Sequence, residues 1–413
     1  MGSIPTMSIP FDDSRGPYVL AMDIGSTASR GGLYDASGCP IKGTKQRESH
    51  EFTTGEGVST IDADQVVSEI TAVINGILNA ADHHNIKDQI AAVALDSFAS
   101  SLILVDGEGN ALTPCITYAD SRSAQYVEQL RADIDEEAYH GRTGVRLHTS
   151  YHPSRLLWLK AEFPEEFTIG EYVYFKLAGI TGMATSIAAW SGILDAHTGE
   201  LDLTILEHIG VDPALFGEIR NPDEPATDAK VVDKKWKHLE EIPWFHAIPD
   251  GWPSNIGPGA VDSKTVAVAA ATSGAMRVIL SSVPEQIPSG LWCYRVSRDQ
   301  CIVGGALNDV GRAVTWLERT IIKPENLDEV LIREPLEGTP AVLPFFSGER
   351  SIGWAASAQA TITNIQEQTG PEHLWRGVFE ALALSYQRVW EHMEKAGAAP
   401  ERVIASGRVS TDH

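Results

Sequence analysis

The sequence is poor in cysteine and lacks the cysteine spacing of disulfide-rich or zinc-binding proteins. Its four cysteines, Cys39, Cys115, Cys293 and Cys301, are scattered and form no C-x-x-C pair. Closely spaced cysteines are the sequence signature of small disulfide-stabilised domains and of structural zinc sites. The sequence therefore predicts neither, and it indicates reduced thiols in a cytoplasmic protein.

Positive charge is also scarce. The chain has 32 Lys and Arg residues against 56 Asp and Glu residues, a formal net charge of −24 at pH 7. Nucleic acids and anionic membranes both bind to basic surfaces, so we expect neither as a partner. No apolar run approaches the length of about 18 residues that a transmembrane helix needs. An anionic ligand such as ATP would need local backbone N–H groups, a few basic side chains and a metal ion.

The chain is long enough for more than one domain. A length of 413 residues predicts two or three domains. The first 17 residues have no apolar core of their own, and we expect residues 1–17 to form a disordered tail. Behind them, short apolar runs alternate with amphipathic stretches, which is typical of an α/β fold.

The first apolar run of the ordered chain ends in an aspartate and a small-residue turn. This stretch, AMDIGSTASRGGLYD at residues 21–35, contains Asp23, Gly25, Ser26, Thr27 and Arg30. Two interpretations are open for it. Small residues suit the tight turn of a β-hairpin. Backbone N–H groups and hydroxyls in such a turn also suit a phosphate group, with the carboxylate near its metal ion.

A second hairpin repeats this pattern about 245 residues further on. Residues 265–280, TVAVAAATSGAMRVIL, again give an apolar run, a small-residue turn, a basic residue and an apolar return. The Gly- and Pro-rich segment 247–262 precedes it and predicts a domain junction. We therefore expect domains at 18–252 and 253–413, each offering a turn to one ligand in a cleft between them.

Other elements follow from periodicity. Helical spacing of apolar residues begins at Asp62, which stands with Gln65 as a predicted capping box. Runs at 90–95, 101–106 and 402–406 predict strands, and an amphipathic stripe from Leu374 to Met393 predicts a long helix.

With these elements in place, the chain resembles the FGGY family of carbohydrate kinases, in the superfamily of sugar kinases and actin, and most closely its gluconokinase-like members. The matching stretches keep the family's order: DIGSTASRGGLYD (23–35), LILVDGEGNALTPCITYADSRSA (102–124), IPDGWPSNIGPGAV (248–261), ATSGAMRV (271–278), VGGALNDVGRAVTWL (303–317) and FFSGERSIGW (345–354). The resemblance implies two actin-like (ribonuclease H-like) α/β domains around a nucleotide cleft, with ATP and Mg²⁺ as cofactors.

The resemblance also implies roles for individual residues. Asp250 stands where the family has its general base, and Asp23 where it has a carboxylate near Mg²⁺. The residues implied in nucleotide binding lie in the two turns and in two later loops: Gly25, Ser26, Thr27, Arg30, Thr272, Gly274, Gly311 and Gly407.

Substrate recognition is the part that departs from the family pattern. The family's Met-His pair is absent, and residues 98–100 are Phe, Ala and Ser instead. Pro249 also replaces a usual glycine before the implied base. The substrate-binding candidates are the polar residues of the corresponding segments: Ser100, Tyr118, Asp120, Arg122 and Asn308. Each of these is equally open to an interpretation as a turn or capping residue.

The expected activity is ATP-dependent phosphorylation of a primary hydroxyl of a small carbohydrate, with D-gluconate first. A ketopentose or tetritol kinase and an inactive nucleotide-binding pseudokinase are the alternatives. The sequence ends seven residues after the strand at 402–406, so we expect a second domain that is shorter than the family's and a chain with little activity. A homodimer is compatible with the sequence.

Overall fold

The computed structural model describes residues 8–163, 171–334 and 336–406, and they form two compact units. The first unit contains residues up to Pro253 together with 295–298, and the second contains the remainder from Ser254. The boundary that the sequence predicts, after residue 252, lies one residue before this division. Within the described residues, no helix combines the length and apolar character needed to cross a membrane.

The first unit is built on a five-stranded sheet. The strands of the whole unit are β1 (Tyr18–Ile24), β2 (Ala28–Tyr34), β3 (Gln46–Ser49), β4 (Thr53–Thr54), β5 (Ser59–Ile61), β6 (Ile90–Ser97), β7 (Cys115–Ile116), β8 (Met183–Ala184), β9 (Ile219–Arg220) and β10 (Ile248–Pro249), and the five-stranded sheet consists of β1, β2, β3, β6 and β10. Its helices are α1 (Ala63–His83), α2 (Ala124–Asp133), α3 (Glu136–Thr143), α4 (His152–Glu162), α5 (Tyr172–Ala178), α6 (Thr185–Ser191) and α7 (Leu203–Ile209). Short 3₁₀ helices lie at Phe11–Asp13, Lys87–Gln89, Pro213–Phe216 and Lys234–Glu241.

The second unit has a similar sheet. Its strands are β11 (Thr265–Ala270), β12 (Gly274–Leu280), β13 (Trp292–Arg295), β14 (Cys301–Leu307), β15 (Ala341–Leu343), β16 (Thr361–Thr363) and β17 (Arg402–Ser406). Its helices are α9 (Gly311–Thr320), α10 (Leu327–Ile332) and α11 (Pro371–Lys395), and the short α8 (Pro253–Ile256) spans the division between the units.

The two main sheets share the order of four strands. In the first unit the order is β10-β6-β1-β2-β3, and in the second it is β13-β14-β12-β11-β17, so that β6-β1-β2-β3 corresponds to β17-β11-β12-β14. The fifth strand, β10 or β13, lies at opposite ends of the two sheets. Each unit begins with an antiparallel hairpin, and a later strand then pairs in parallel with the first strand of that hairpin. A long helix, α1 or α11, precedes the parallel strand in each case. The repeated hairpin in the sequence therefore corresponds to a repeated sheet.

Alternating burial along β1 packs one face of the first unit's sheet against the apolar core. In β1, Tyr18, Leu20, Met22 and Ile24 are buried, and they join a core with Ile70, Ile74 and Ile77 of α1. The odd-numbered residues of β1, Asp23 among them, face the other side of the sheet and are only half-buried. This alternation keeps the carboxylate out of the apolar core.

Most local predictions are confirmed. Helix α1 begins after Asp62, whose carboxylate accepts from the N–H of Gln65 at 2.8 Å. The return half of the predicted capping box is not formed, because the Gln65 amide donates to Glu69 instead, at 2.9 Å. The second hairpin, the strand at 402–406 and the helix over 374–393 are all present.

Two predictions need correction. The stretch 101–106 is not a regular strand; it has only isolated bridges, from Leu102 to Ile116 and from Val105 to Ala111. Residues 8–17 of the predicted disordered tail are ordered, with the 3₁₀ turn at Phe11–Asp13 and a bridge from Ile9 to Ile41. Both stretches form bridges with residues outside them, and such contacts are not visible in the local sequence pattern. Residues 1–7 lie outside the described residues.

Helix α9 starts directly against the turn of the second hairpin. The N–H of Gly311 donates to the carbonyl of Ala271 at 2.8 Å, and a Cβ atom on Gly311 would lie 2.5 Å from that same oxygen. Only glycine allows the two backbone segments to approach so closely.

We expect Gly311→Ala to lower the free energy of unfolding of the second unit by about 1–3 kcal/mol, because the added methyl group overlaps the Ala271 carbonyl. Chemical denaturation measures this change. Gly141→Ala in α3 is the matched control, since nothing lies within 4 Å of its Cβ position and alanine favours a helix. Equal stability of the two variants would contradict the prediction.

Candidate active site

Three aspartates lie at the carboxyl ends of three neighbouring parallel strands. Asp23 of β1 is paired in register with Asp96 of β6, and Asp250 follows β10 directly. The N–H of Asp250 donates to the carbonyl of Ser97 at 2.9 Å, which continues the ladder by one residue. In open α/β sheets, ligands bind outside the carboxyl ends of the strands. The sheet therefore gathers these carboxylates at the edge where a ligand site is expected.

The proline before Asp250 is accommodated because β10 is the edge strand of its sheet. Pro249 pairs with Ser97, and an edge position does not require the N–H group that proline lacks. A turn follows at once, in which the N–H of Trp252 donates to the carbonyl of Pro249 at 2.9 Å. Asp250 itself is exposed at the start of this turn. The departure from the family pattern at Pro249 thus leaves the carboxylate at the sheet edge.

Arg30 supplies the positive charge beside these carboxylates. Strand β2 returns antiparallel to β1 and places Arg30 directly opposite Asp23. The Arg30 Nε atom lies 2.7 Å from Oδ2 of Asp23, in a half-exposed ion pair. The guanidinium group passes over Gly25, where a Cβ atom would lie 2.6 Å from its Nη2 atom. The glycine of the first motif therefore makes room for the arginine.

Asp96 is a site residue that the sequence reasoning missed. Burial, the charge of Asp23, a hydrogen bond with Asp23 and the charge of Asp250 together raise the pKa of the Asp96 carboxyl to about 8, and the charge of Arg30 opposes them. Its Oδ1 atom is buried and has no hydrogen-bond partner within the described residues. A signal was present in the sequence, since ALDS at 94–97 ends a strand in aspartate as AMDI does at 21–24.

The first turn has hydrogen-bond donors that are not used within the described residues. It is closed by the N–H of Gly25, which donates to the carbonyl of Ala28 at 3.0 Å. Ser26 and Thr27 are exposed at its tip. Within the described residues, neither their hydroxyls nor their backbone N–H groups donate a hydrogen bond. Such a turn can bind an anion.

The second turn lies in the second unit. Thr272 is exposed at its tip, and its carbonyl accepts from the N–H of Arg312 at 3.2 Å, so the start of α9 holds the turn from behind. Gly274 leaves room for Tyr386, whose hydroxyl donates to the carbonyl of Ala269 at 2.8 Å. Thr272, Gly274 and Gly311 are therefore neighbours in one structural unit, whereas Gly407 lies outside the described residues.

The predicted substrate residues Asp120 and Arg122 are paired with each other. Asp120 is almost fully buried and accepts from the N–H of Ser59 at 3.0 Å and from Nη2 of Arg122 at 2.8 Å. This environment makes Asp120 a structural anchor of its loop. The Arg122 guanidinium also stacks over the ring of Trp158 at 4.6 Å. Its Nη1 atom makes no hydrogen bond within the described residues and stays available to a ligand.

The other substrate candidates differ in how far they are engaged. Ser100 is buried in the left-handed backbone region, and its hydroxyl donates to the carbonyl of Trp190 at 2.7 Å. Tyr118 is 44% exposed. Asn308 lies in the second unit, and its amide donates to the carbonyls of Ser347 and Gly348 at 3.0 and 3.1 Å. Ser100 and Asn308 therefore use their side-chain donors within the protein, whereas Tyr118 has a largely exposed side chain.

Arg155 is a second residue that the sequence reasoning missed. It is 1% exposed in α4 and donates to the carbonyls of Ser100 and Thr117, both at 2.6 Å. Burial lowers the pKa of this guanidinium to about 10, which still leaves it charged at neutral pH. One cation therefore ties together the two loops that carry the substrate candidates. Its position within the apolar helix stretch SRLLW gave no signal of this role.

Comparison with known proteins agrees with this architecture. The N-terminal domain model of the FGGY family of carbohydrate kinases matches residues 18–257, and the C-terminal domain model matches residues 267–412. A gluconokinase of Bacillus subtilis is 24% identical over 94% of this chain and 80% of its own length.

Solved structures show the same fold. The gluconate kinase structure from Lactobacillus acidophilus superposes with a TM-score of 0.85 at 24% identity, covering 96% of this chain and 82% of that one. A ligand-bound xylulose kinase from the same organism gives 0.84 at 24% identity and the same coverage. With both domain models matched in order across most of its length, the chain belongs to the FGGY family of carbohydrate kinases, which are phosphotransferases.

Proposed function

We propose that this kinase transfers the γ-phosphoryl group of ATP to a primary hydroxyl of D-gluconate, with Mg²⁺ as the metal ion. The observation that carries the proposal is the placement of Asp250 at the same sheet edge as Asp23, Asp96 and Arg30. Phosphoryl transfer needs a base for the attacking hydroxyl and positive charge for the phosphate oxygens.

Asp250 is the proposed general base. Its carboxylate accepts the proton of the substrate hydroxyl while that oxygen forms a bond to the γ-phosphorus, and the bond to the bridging oxygen of ADP breaks. Asp250 is exposed immediately after β10, so a hydroxyl can approach it from solvent. The hydrogen bond from the Asp250 N–H to the Ser97 carbonyl fixes the backbone position from which the Asp250 side chain extends.

The two turns and Arg30 are the proposed phosphate contacts. The N–H and hydroxyl groups of Ser26 and Thr27, which donate to no other described residue, can donate to phosphate oxygens, and Arg30 adds a fixed charge. Thr272 offers the equivalent donors in the second unit. These contacts would orient the nucleotide without any covalent step by the protein.

The carboxylates fit a magnesium ion. No group of three or more His, Cys, Asp or Glu side chains within the described residues is arranged as a metal site. Mg²⁺ is commonly held by one or two carboxylates together with waters and substrate phosphates. The partnerless Oδ1 atom of Asp96 and the adjacent Asp23 carboxylate provide oxygen ligands of this kind. When bound, the ion would neutralise charge on the phosphates.

Arg122 favours an acid sugar as the substrate. Asp120 and the face of Trp158 hold its guanidinium in place, and Nη1 keeps two donors for a ligand. A sugar-acid carboxylate is the partner that suits such a fixed cation. The likeness to gluconokinases supports the same choice. A ketopentose kinase is the alternative, which the likeness to xylulose kinases favours; a tetritol substrate has no specific support.

We expect Asp250→Asn to lower kcat by roughly 10²–10⁴-fold, because the amide keeps the shape but cannot accept the proton. A coupled assay of ADP release measures the rate. Asp228→Asn, at an exposed aspartate of the same unit, is the control and should keep full activity. A rate for Asp250→Asn within a few-fold of the wild type would rule out its role as the base.

The substrate is tested with the same assay on D-gluconate, D-xylulose and erythritol. We expect D-gluconate to have the highest kcat/KM, and Arg122→Gln to raise its KM by roughly 10–100-fold, since a hydrogen bond to a charged group is lost. The KM for neutral sugars should change much less. A higher kcat/KM for D-xylulose would instead support the ketopentose alternative.

The raised pKa of Asp96 predicts a pH-dependent stability of the metal-free protein. The unfolded chain releases this proton near the ordinary value of 3.8, whereas the folded chain retains it up to about pH 8. The free energy of unfolding contributed by Asp96 should therefore fall as the pH rises from about 4 to about 8.

Denaturation at pH 5 and pH 8 in the presence of a chelator measures this effect. Asp96→Asn, which stays neutral, should be less destabilised than the wild type over that interval. Mg²⁺ should restore stability to the wild type at pH 8 and do less for the variant. Parallel pH curves for the two proteins would show that Asp96 does not carry the buried proton.

A further inference from the structure

A buried histidine holds the first phosphate turn from behind. His50 follows β3, and its side chain is 0% exposed. Its backbone N–H donates to the carbonyl of Thr27 at 3.1 Å, and its Nε2 atom lies 2.9 Å from the carbonyl oxygen of Gly25. Since a carbonyl oxygen only accepts, Nε2 carries a proton and donates. One residue therefore binds the turn at two points.

The imidazole ring is itself fixed on its other side. Its Nδ1 atom lies 2.8 Å from Oε2 of Glu69 on α1. The same carboxylate accepts from the hydroxyl of Ser29 at 2.8 Å and from the amide of Gln65 at 2.9 Å. Phe52 stacks against the ring at a centroid distance of 6.0 Å. With its plane held in this way, the ring can donate to Gly25 in one direction only.

The hydrogen bond to Gly25 sets the direction of a neighbouring donor. The carbonyl of Gly25 and the N–H of Ser26 belong to one planar trans peptide group, so they point in opposite directions. Because His50 draws the carbonyl toward the buried side, the Ser26 N–H is turned toward the exposed side of the turn. Within the described residues, this N–H donates to no acceptor.

We propose that His50 is a positioning residue for ATP: through Gly25 it orients the Ser26 N–H toward a phosphate oxygen, and Glu69 orients His50. The proposal rests on the proposed kinase function. His50 does not touch the nucleotide, and its effect is to keep the donor aimed before the ligand arrives. A hydrogen-bond donor that is already oriented loses little conformational entropy when the nucleotide binds.

A second buried His–Glu pair in the same unit shows the contrast. His246 Nδ1 lies 2.9 Å from Oε2 of Glu171, which also accepts from the N–H of Ala247 at 3.2 Å. The Nε2 atom of His246 has no hydrogen-bond partner within the described residues. His246 therefore lacks the second contact that links His50 to a turn, and it serves as a matched control.

Two amide substitutions separate the two contacts of His50. His50→Gln is long enough for its amide nitrogen to take the place of Nε2 and donate to Gly25. His50→Asn is shorter and can reach only toward Glu69. Calorimetry with Mg²⁺–ATP measures nucleotide affinity, steady-state kinetics give the KM for ATP and for the sugar, and thermal melts check folding.

We expect His50→Asn to weaken ATP binding roughly tenfold, the effect of one lost hydrogen bond, while the sugar KM stays unchanged. His50→Gln should recover ATP affinity to within about threefold of the wild type. His246→Gln and His246→Asn should lose stability without losing ATP affinity. A purely structural role for His50 would lower the melting temperature and leave the KM for ATP unchanged.

Equal ATP affinity in the wild type, His50→Gln and His50→Asn would overturn the proposal, and so would an equal loss in both variants. If His50→Asn does not fold, Glu69→Ala takes its place: a similar loss of ATP affinity is expected, and wild-type affinity would overturn the proposal. Failure of the wild type to bind Mg²⁺–ATP would instead contradict the proposed kinase function.

Discussion

Electrostatic repulsion among carboxylates is the constraint on which the first unit depends. Asp23 and Asp96 are in register on adjacent parallel strands, and strands in a sheet lie only about 4.8 Å apart. Two charges at that separation, half removed from water, are unfavourable unless a proton or a cation lies between or beside them. The raised pKa of Asp96 is the consequence of this proximity and burial. Arg30, opposite Asp23, supplies one compensating charge, and Gly25 lacks a side chain where the guanidinium passes.

The two hairpins share a backbone plan but differ in charge. In the first unit, the arginine of β2 faces Asp23 across the hairpin. In the second unit, the residue in register with Arg277 of β12 is Ala267, so the position across the hairpin is not acidic. The carboxylates proposed as the base and as ligands of the metal ion, Asp250, Asp23 and Asp96, belong to the first unit, whereas the second turn combines small residues with the start of α9.

Local patterns predicted the elements that depend on local physics. The helical spacing after Asp62, the two hairpins and the long C-terminal helix follow from periodicity and turn composition, and all are present. The sequence could not show that residues 101–106 form only isolated bridges, because their pairing depends on residues beyond the next turn. The same holds for the site. Turn composition predicts the two turns and the family resemblance predicts the role of Asp250, but the burial of Asp120 depends on contacts with Ser59, about sixty residues away.

Two of the residues that the sequence reasoning missed, Arg155 and His50, contact the backbone of loops in the candidate site. Arg155 and His50 both donate from a buried ring or guanidinium to backbone carbonyls of the loops they hold. Backbone carbonyls are present whatever the loop sequence is, so such donors can fix the path of a loop while its side chains vary. In the turn proposed to bind phosphate, the direction of the Ser26 N–H depends on a single peptide plane, the one whose carbonyl contacts His50. In the segment proposed for the sugar, residues 98–100 depart from the family pattern, and the carbonyl of Ser100 in that segment is one that Arg155 holds.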